Sequence, residues 1–460
     1  MDRGDVTEDR ASSCEKADLK GAIEYLNRFQ FHGFKLGLER MEAVLARLGM
    51  PQTRYPVIHV AGSNGKGSTC AALVSILTEA GYSCGFYSSP HLFRLNERFM
   101  IGKETIPDDE LCQLILRIKE LVDQGCELSY FEYTTAMAMA WFAQKGVDVA
   151  VLETGLGGRL DATNVIERPV MTIITTVSLE HQHWLGQTIE EIAWEKAGII
   201  KPGCPVISTV GDKRAARVIE ERARELKSPI YRLGREFEAE PDGPNLDFRF
   251  GQIDMKGLEF GLAGRHQAGN AAAACAAAIL LDKAGFKVDE PAVRAGLLKT
   301  SWPCRCELLH LDSKDLPALL LDGAHNLEGI SALREYIKAL DARHPFRGKA
   351  LLWACSNEGG DKPFWELLQM VSPMFQRVVI TEPPGPRVPV KVEQWRERLG
   401  IPEGGHRACK HGGTRFSLEQ DWEKGLKELL AATGPEDLIT VAGSLYLAGI
   451  VREAIISGSC

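Results

Sequence analysis

Short runs of β-branched and aliphatic residues alternate with helix-length segments along most of the chain. After a polar stretch over residues 1–17, the apolar spacing predicts a first helix from Leu19 to about Phe29. From Val57 onward the runs at 57–62 (VIHVAG), 84–89 (CGFYSS), 147–155 (VDVAVLETG), 170–177 (VMTIITTV) and 205–210 (PVISTV) read as strands, with a helical segment at 69–81. Near-continuous apolar strands separated by helices predict a mainly parallel sheet covered on both faces. Between Phe237 and Gly264 the pattern shortens to alternating segments with turn residues between, which predicts a hairpin or small antiparallel patch. An Ala-rich helix follows over about Gln267–Ala284.

The helical text stops at Thr300-Ser301-Trp302-Pro303, and a second alternation begins. Strand-like runs at 317–325 (PALLLDGAH), 349–356 (KALLWACS), 377–383 (RVVITEP) and 437–444 (DLITVAGS) are interleaved with helices, including one from Leu327 and a last one from about Leu445. The expected division is a disordered lead-in at 1–17, a first α/β unit at 18–299 and a second, doubly wound unit at 300–460. Gly404–Gly413, rich in Gly and His, reads as a surface loop. No internal repeat is found.

A chain of 460 residues is too long for one core, so a cleft between units is expected. The formal charge of −8 gives no global reason to expect nucleic acid, and no apolar run reaches the ~20 residues of a spanning helix. Neither a nucleic-acid nor a membrane partner is expected, and the polar N-terminus points to the cytoplasm. The 12 cysteines include no C-x-x-C pair and read as reduced thiols. Cys304-x-Cys306 lacks the second Cys/His pair a zinc tetrahedron needs.

The strongest local signal is His59-Val-Ala-Gly62-Ser63-Asn64-Gly65-Lys66-Gly67-Ser68-Thr69, a strand passing through a Gly-rich turn into a helix. Such a turn lets backbone N–H groups and a helix N-terminus converge on phosphate. Lys66 can reach terminal phosphates, and Ser68 or Thr69 can ligate Mg²⁺. The lysine precedes Gly67, so the strict G-x-x-x-x-G-K-[ST] spacing is not met, and a tight turn with a solvated lysine is the alternative. A second cluster, Glu153 through Asn164, follows a strand. Glu153 either supplies a hard oxygen ligand on the same rim or caps its loop. A third holds Glu180, His181 and His183 after another strand, followed by Glu195-Lys196. Here a histidine–metal contact competes with packed imidazoles, and Lys196 with an ordinary cation at a helix end.

Taken together, Lys35-Leu-Gly-Leu-Glu-Arg40, the phosphate loop, Ser89-Pro90-His91-Leu92, Glu153-Thr-Gly-Leu-Gly-Gly-Arg-Leu-Asp161-Ala-Thr-Asn164, Glu195-Lys196-Ala-Gly-Ile199, Gly264-Arg-His266-Gln267-x-x-Asn270, Leu321-Asp322-Gly-Ala-His325-Asn326 and Gly443-Ser-Leu-Tyr-Leu-Ala-Gly449 resemble the folylpolyglutamate synthase and dihydrofolate synthase family, a branch of the Mur ligases, over about residues 20–455. The resemblance implies a P-loop-type ATPase domain followed by a Rossmann-like ligase domain. It also implies ATP with two Mg²⁺ ions: Lys66 on the γ-phosphate, Ser68, Glu153 and His181 on metal, and Lys196 at the position that is carbamylated in many Mur ligases and then helps bind the second Mg²⁺. Asn270 or His266 would lie near adenine, Arg305 would reach phosphate, Asp322 would take the ribose and His325 would lie near the phosphates. Ser89, Pro90, His91 and Asp161 fall on the substrate side.

The implied reaction joins L-glutamate to dihydropteroate or to a reduced folate through an acyl phosphate, in a monomer whose second domain closes about a hinge at 296–303. The run through Asp161 resembles bifunctional bacterial members; a mono-functional enzyme is the runner-up, and another Mur ligase or a non-catalytic nucleotide-binding protein are further alternatives. Two departures stand out. The family commonly has Asp-His where this chain has Glu180-His181, and Gly-Arg-Leu-Glu where it has Cys304-Arg305-Cys306-Glu307.

Overall fold

Val57–Ala61 is buried along its whole length, and its side chains alternate between two different cores. Ile58 and Val60 face one cluster, Val57 the other, as the period-two geometry of a strand requires. This strand stands at the centre of the first of three sheets in a computed structural model that describes residues 18–31, 37–242, 245–311, 316–357, 360, 362–402, 408–411 and 413–458. The lead-in at 1–17 and Lys35-Leu36 lie outside the described residues.

The first sheet comprises β1 (Val57–Ala61), β2 (Cys84–Tyr87), β3 (Phe99–Ile101), β4 (Glu104–Thr105), β5 (Val149–Glu153), β6 (Met171–Ile174), β7 (Val206–Ser208) and β8 (Ile230–Arg232). They run in the order β4-β3-β2-β5-β1-β6-β7-β8, parallel from β2 to β8. The antiparallel edge, β3 and β4, is too short, at three and two residues, to stand out in the sequence. Helices Asp108–Asp123 and Tyr130–Lys145 cover one face with the first two helices of the chain. Helix Lys66–Glu79 covers the other, pressed by Gln267–Lys283 and Glu290–Leu298. The expected helix at 69–81 thus starts three residues earlier, and the first helix ends at Asn27 before a 3₁₀ turn. Ala271–Ala278 are buried throughout, because only small side chains admit so close a helix pair.

The antiparallel patch expected after Phe237 is a three-stranded sheet, β9 (Phe237–Asp242), β10 (Asn245–Phe250) and β11 (Ile253–Glu259). Its Phe237, Leu246, Phe248 and Leu258 join the core of helix Lys66–Glu79.

The third sheet contains β12 (Glu307–Leu309), β13 (Ala318–Leu321), β14 (Lys349–Trp353), β15 (Arg377–Ile380), β16 (Ala408–His411), β17 (Thr414–Leu418) and β18 (Leu438–Ala442). Its order is β12-β13-β18-β14-β15-β17-β16, with a parallel centre and an antiparallel strand at each edge. Leu320 and Leu351 face one core, Leu319 and Leu352 the other, so helices cover both faces. Part of the segment read as a surface loop is therefore β16, while residues 403–407 and 412 lie outside the described residues.

The last helix of the chain comes close to the segment after β2. A Cβ placed on Gly449, in the closing helix Leu445–Ile456, would stand 2.8 Å from the carbonyl oxygen of Leu92.

Candidate active site

The carboxyl end of β1 enters the Gly-rich turn, and helix Lys66–Glu79 begins at its far side. Gly65 has φ +85°, which glycine alone adopts freely, and a Cβ there would lie 2.2 Å from Asn270 Oδ1. At Gly62 a Cβ would collide with Thr175 Oγ1 at 1.9 Å. The turn is also tied from β6: the Asn64 N–H donates to Thr176 Oγ1 at 3.0 Å, and Thr175 Oγ1 donates to the Asn64 carbonyl at 2.7 Å. Lys66 folds over this loop, its Nζ donating to the Gly62 carbonyl at 2.8 Å and the Ser63 carbonyl at 3.3 Å.

Glu153 ends β5 on the same rim and is buried; its Oε2 accepts from the Ser89 N–H at 3.4 Å. Burial raises its carboxyl above the ordinary range, opposed by the charges of Lys66, Arg305 and Arg98. Beyond β6, His181 adopts φ +46° at the start of the short helix Gln182–Leu185, so the chain turns there rather than continuing as a strand through His183. Burial lowers His181 to about 4, with the nearby cations adding to the effect against the pull of Glu180. Its imidazole is therefore neutral at pH 7, the form that binds metal. Behind it Lys196 donates to Glu180 at 2.9 Å. Burial opposes the Glu180 charge, yet Lys196, with Lys66 and His181, brings that carboxyl down to about 2. Lys196 itself is pushed below its ordinary value by burial, against the pull of Glu180.

The third sheet supplies the opposite wall. Asp322, past β13, accepts from the Cys306 N–H at 2.7 Å and the Ala324 N–H at 2.8 Å. The first of these bonds ties down the 304–306 turn, where Cys304 and Cys306 have φ +56° and +50° on either side of Arg305. His325 Nδ1 lies 2.7 Å from the Gly323 carbonyl and is lowered to about 3, chiefly by burial. Across the gap Asn326 Nδ2 donates to Asn64 Oδ1 at 3.0 Å, and Asn64 Nδ2 donates to Glu328 Oε2 at 2.5 Å.

Between the walls lies a cleft of about 250 Å³, with Lys66, Ser68, Glu153, His181, Arg305, Asp322 and His325 all on its surface. No three His, Cys, Asp or Glu side chains cluster as a preformed metal site among the described residues. The donors present fit Mg²⁺ nonetheless, because that ion takes one or two protein ligands and fills its octahedron with phosphate oxygens and water.

Residues 60–278 match the Mur ligase middle domain. The dihydrofolate synthase/folylpolyglutamate synthase of Bacillus subtilis is 34% identical over 435 residues, covering 92% of this chain and 96% of that one. The chain belongs to the dihydrofolate synthase/folylpolyglutamate synthase family. The Escherichia coli protein of the same name is 33% identical, with 95% of each chain covered. Among solved structures, E. coli FolC in complex with DHPP and ADP superposes with a TM-score of 0.82 at 31% identity, covering 96% of this chain and 98% of that one. Folylpolyglutamate synthase from Thermotoga maritima does so with 0.79 at 32%, covering 95% and 97%.

Not every residue expected from the dihydrofolate synthase/folylpolyglutamate synthase resemblance reaches this cleft. Ser63, Asn64, Gly65, Gly67, Ser89, Pro90, His266 and Asn270 do. Gly62 and Thr69 lie beneath it; Thr69 Oγ1 donates to Asn270 Oδ1 at 3.4 Å. Lys196, 1% exposed, sits a layer behind Glu180. His91 lines an adjoining cavity of about 410 Å³, where its Nδ1 accepts from Arg98 Nε at 2.9 Å. Asp161 lines neither cavity. Its carboxylate accepts from the N–H groups of Gly155, Leu156 and Thr163 at 2.8–3.0 Å, which makes it the brace of the loop after Glu153. Thr176, Gln267, Glu328, Lys362 and Arg387 line the cleft without having been expected there. For Thr176 the same rim position that pointed to Glu153 was available as a signal.

Proposed function

We propose that this ATP-dependent ligase activates the carboxylate of dihydropteroate, and of the γ-glutamyl tail of reduced folates, and joins each to the amine of L-glutamate. The carboxylate oxygen attacks the γ-phosphorus and ADP departs; the amine then attacks the acyl carbon, phosphate leaves with the bonding pair, and the amine proton passes to solvent or a nearby base. One observation carries the reading: a Gly-rich turn, a buried carboxylate, a neutral imidazole and an arginine from the turn that leads into the third sheet share one cleft. Lys66 and Arg305 are suited to the charge spread over the transferring phosphoryl oxygens.

Ser68, Glu153 and His181 are the residues that would hold Mg²⁺, which supplies charge neutralisation at the β- and γ-phosphates. Lys196, its amine shifted toward neutrality by burial, is the candidate for carbamylation, and Glu180 occupies its head group. Water destroys an acyl phosphate, so we divide the chain near residue 300 and assign closure to a hinge at 296–303. We further infer a monomer in the cytoplasm acting on small molecules; among the described residues no helix is long and apolar enough to cross a membrane.

Bifunctional relatives, including the B. subtilis and E. coli proteins, favour both activities over one. Incorporation of labelled glutamate is to be assayed with dihydropteroate and with tetrahydrofolate separately, against ADP release. Amide and ADP in equal amounts with both acids is the expected result. Activity with one acid alone would leave a mono-functional enzyme, and ADP without amide would overturn the ligase reading.

A further inference from the structure

Glycines stand at positions 62, 65 and 67 of the Gly-rich turn, so the turn has few side chains with which to hold its own shape. Asn64, two residues before Lys66, is held from outside. Its N–H donates to Thr176 Oγ1 at 3.0 Å, and its Nδ2 donates to Glu328 Oε2 at 2.5 Å. Thr176 Oγ1 lies 3.3 Å from that same carboxylate oxygen and 3.3 Å from the Asn64 carbonyl. The carbonyl already accepts from Thr175 Oγ1 at 2.7 Å, so the Thr176 proton goes to the charged acceptor. A ring results: Asn64 backbone, Thr176 hydroxyl, Glu328 carboxylate, Asn64 side chain.

The carboxylate in this ring belongs to the opposite wall of the cleft. Glu328 stands in the first turn of helix Leu327–Arg343, which follows β13. The start of that helix is itself fixed, because the N-cap Asn326 Oδ1 accepts from the Gly329 N–H at 2.8 Å. Asn326 Nδ2 donates to Asn64 Oδ1 at 3.0 Å, so one helix start grips both ends of the Asn64 amide. Glu328 is exposed, and surface bonds of this kind add little to folding stability. What they fix is the shape of the turn.

We propose that Glu328 is a positioning residue for the nucleotide: acting through Asn64 and Thr176, it gives the Gly-rich turn its phosphate-binding shape while the third-sheet wall is docked against it. Nucleotide affinity and the position of that wall are thereby coupled, each favouring the other. This rests on the reading of the turn as the ATP site.

The test uses the full chain and the variants Glu328→Ala, Glu328→Gln, Thr176→Val and the double variant Glu328→Ala with Thr176→Val. A non-hydrolysable ATP analogue with Mg²⁺ is titrated calorimetrically, KM is measured for ATP and for L-glutamate, and amide hydrogen exchange is followed over residues 62–66 without ligand. Glu328→Ala is expected to weaken analogue binding and raise the KM for ATP about tenfold, the size of losing a hydrogen bond to a charged acceptor, with kcat and the KM for glutamate within about twofold of the parent. Exchange at the Asn64 amide should quicken by a similar factor. Glu328→Gln keeps an accepting oxygen and is expected to recover most of both effects. The double variant should fall within about twofold of Glu328→Ala, because both changes cut one ring. An equal defect in Glu328→Gln and Glu328→Ala, additive losses in the double variant, or unchanged Asn64 exchange in Glu328→Ala would each overturn the proposal. A parent that does not bind the analogue would sink the ATP-ligase reading, and exchange at Asn64 would still decide this one.

Discussion

Lys196 Nζ lies 2.9 Å from Glu180 Oε1, with the two side chains only 1% and 13% exposed. Replacing one partner of such a pair leaves the other charged and unanswered in a low-dielectric site, a cost of about 3–5 kcal/mol. Glu180→Gln should therefore be destabilised by roughly that amount in urea unfolding at pH 7. The Glu180 carboxyl falls to about 2 in the folded chain, below its ordinary value. Its contribution is thus complete above about pH 4.5 and is lost as pH falls through about 2. The gap between parent and variant should narrow over that window and stay constant from pH 5 to 8.

The same contact bears on carbamylation. A carbamate can form at Lys196 only when Nζ is neutral and released from Glu180. In ¹³C-bicarbonate a carbamate carbonyl signal should be stronger in Glu180→Ala than in the parent, and absent from Lys196→Ala. A parent signal equal to that of Glu180→Ala would mean that the carboxylate does not compete.

Burial lowers His181 to about 4 and His325 to about 3, and it lowers His266 as well. A histidine with a depressed value stays unprotonated until the pH drops well below 6. His181 should accordingly add no acid limb between pH 5.5 and 8 to the Mg²⁺ concentration that half-activates the enzyme, any limb there belonging to the raised carboxyl of Glu153. An acid limb near pH 6.5 that vanished in His181→Asn would contradict this.

Gly67 opens the phosphate-loop helix, and a Cβ there would come within 2.6 Å of Trp302 Nε1. The indole packs on Phe86 with ring centroids 5.2 Å apart. Gly67→Ala should raise the KM for ATP at least tenfold, whereas Gly67→Ala with Trp302→Phe should recover most of it. Equal defects in the single and double variants would show that the loop fails for another reason.

The element order was legible because most of these strands are buried on both faces and therefore written as unbroken apolar runs. The edge pair β3 and β4 and the short β16 were not, since two to four residues are too few to show a period. That the Gly-rich turn and Glu153 share one rim was readable from their positions at strand ends. The bracing by Asp161 was not legible, because the backbone N–H groups that its carboxylate accepts from belong to a loop whose conformation no spacing rule predicts. Lys362 and Arg387 were invisible for a related reason, being separate positions after β14 and β15 that come to one cleft only once the third sheet has formed. Cys304, at φ +56°, occupies a backbone geometry where glycine would be relaxed, a strain the text alone does not display.

Gly449 brings the closing helix so near the Leu92 carbonyl that no methyl group fits between them. A bolt of this kind tolerates no thickening. Any larger residue at 449 would hold the two halves of the enzyme ajar while leaving the nucleotide loop untouched. Solvent would then reach the activated acid before the amine did, and a synthetic machine would idle as a futile ATPase.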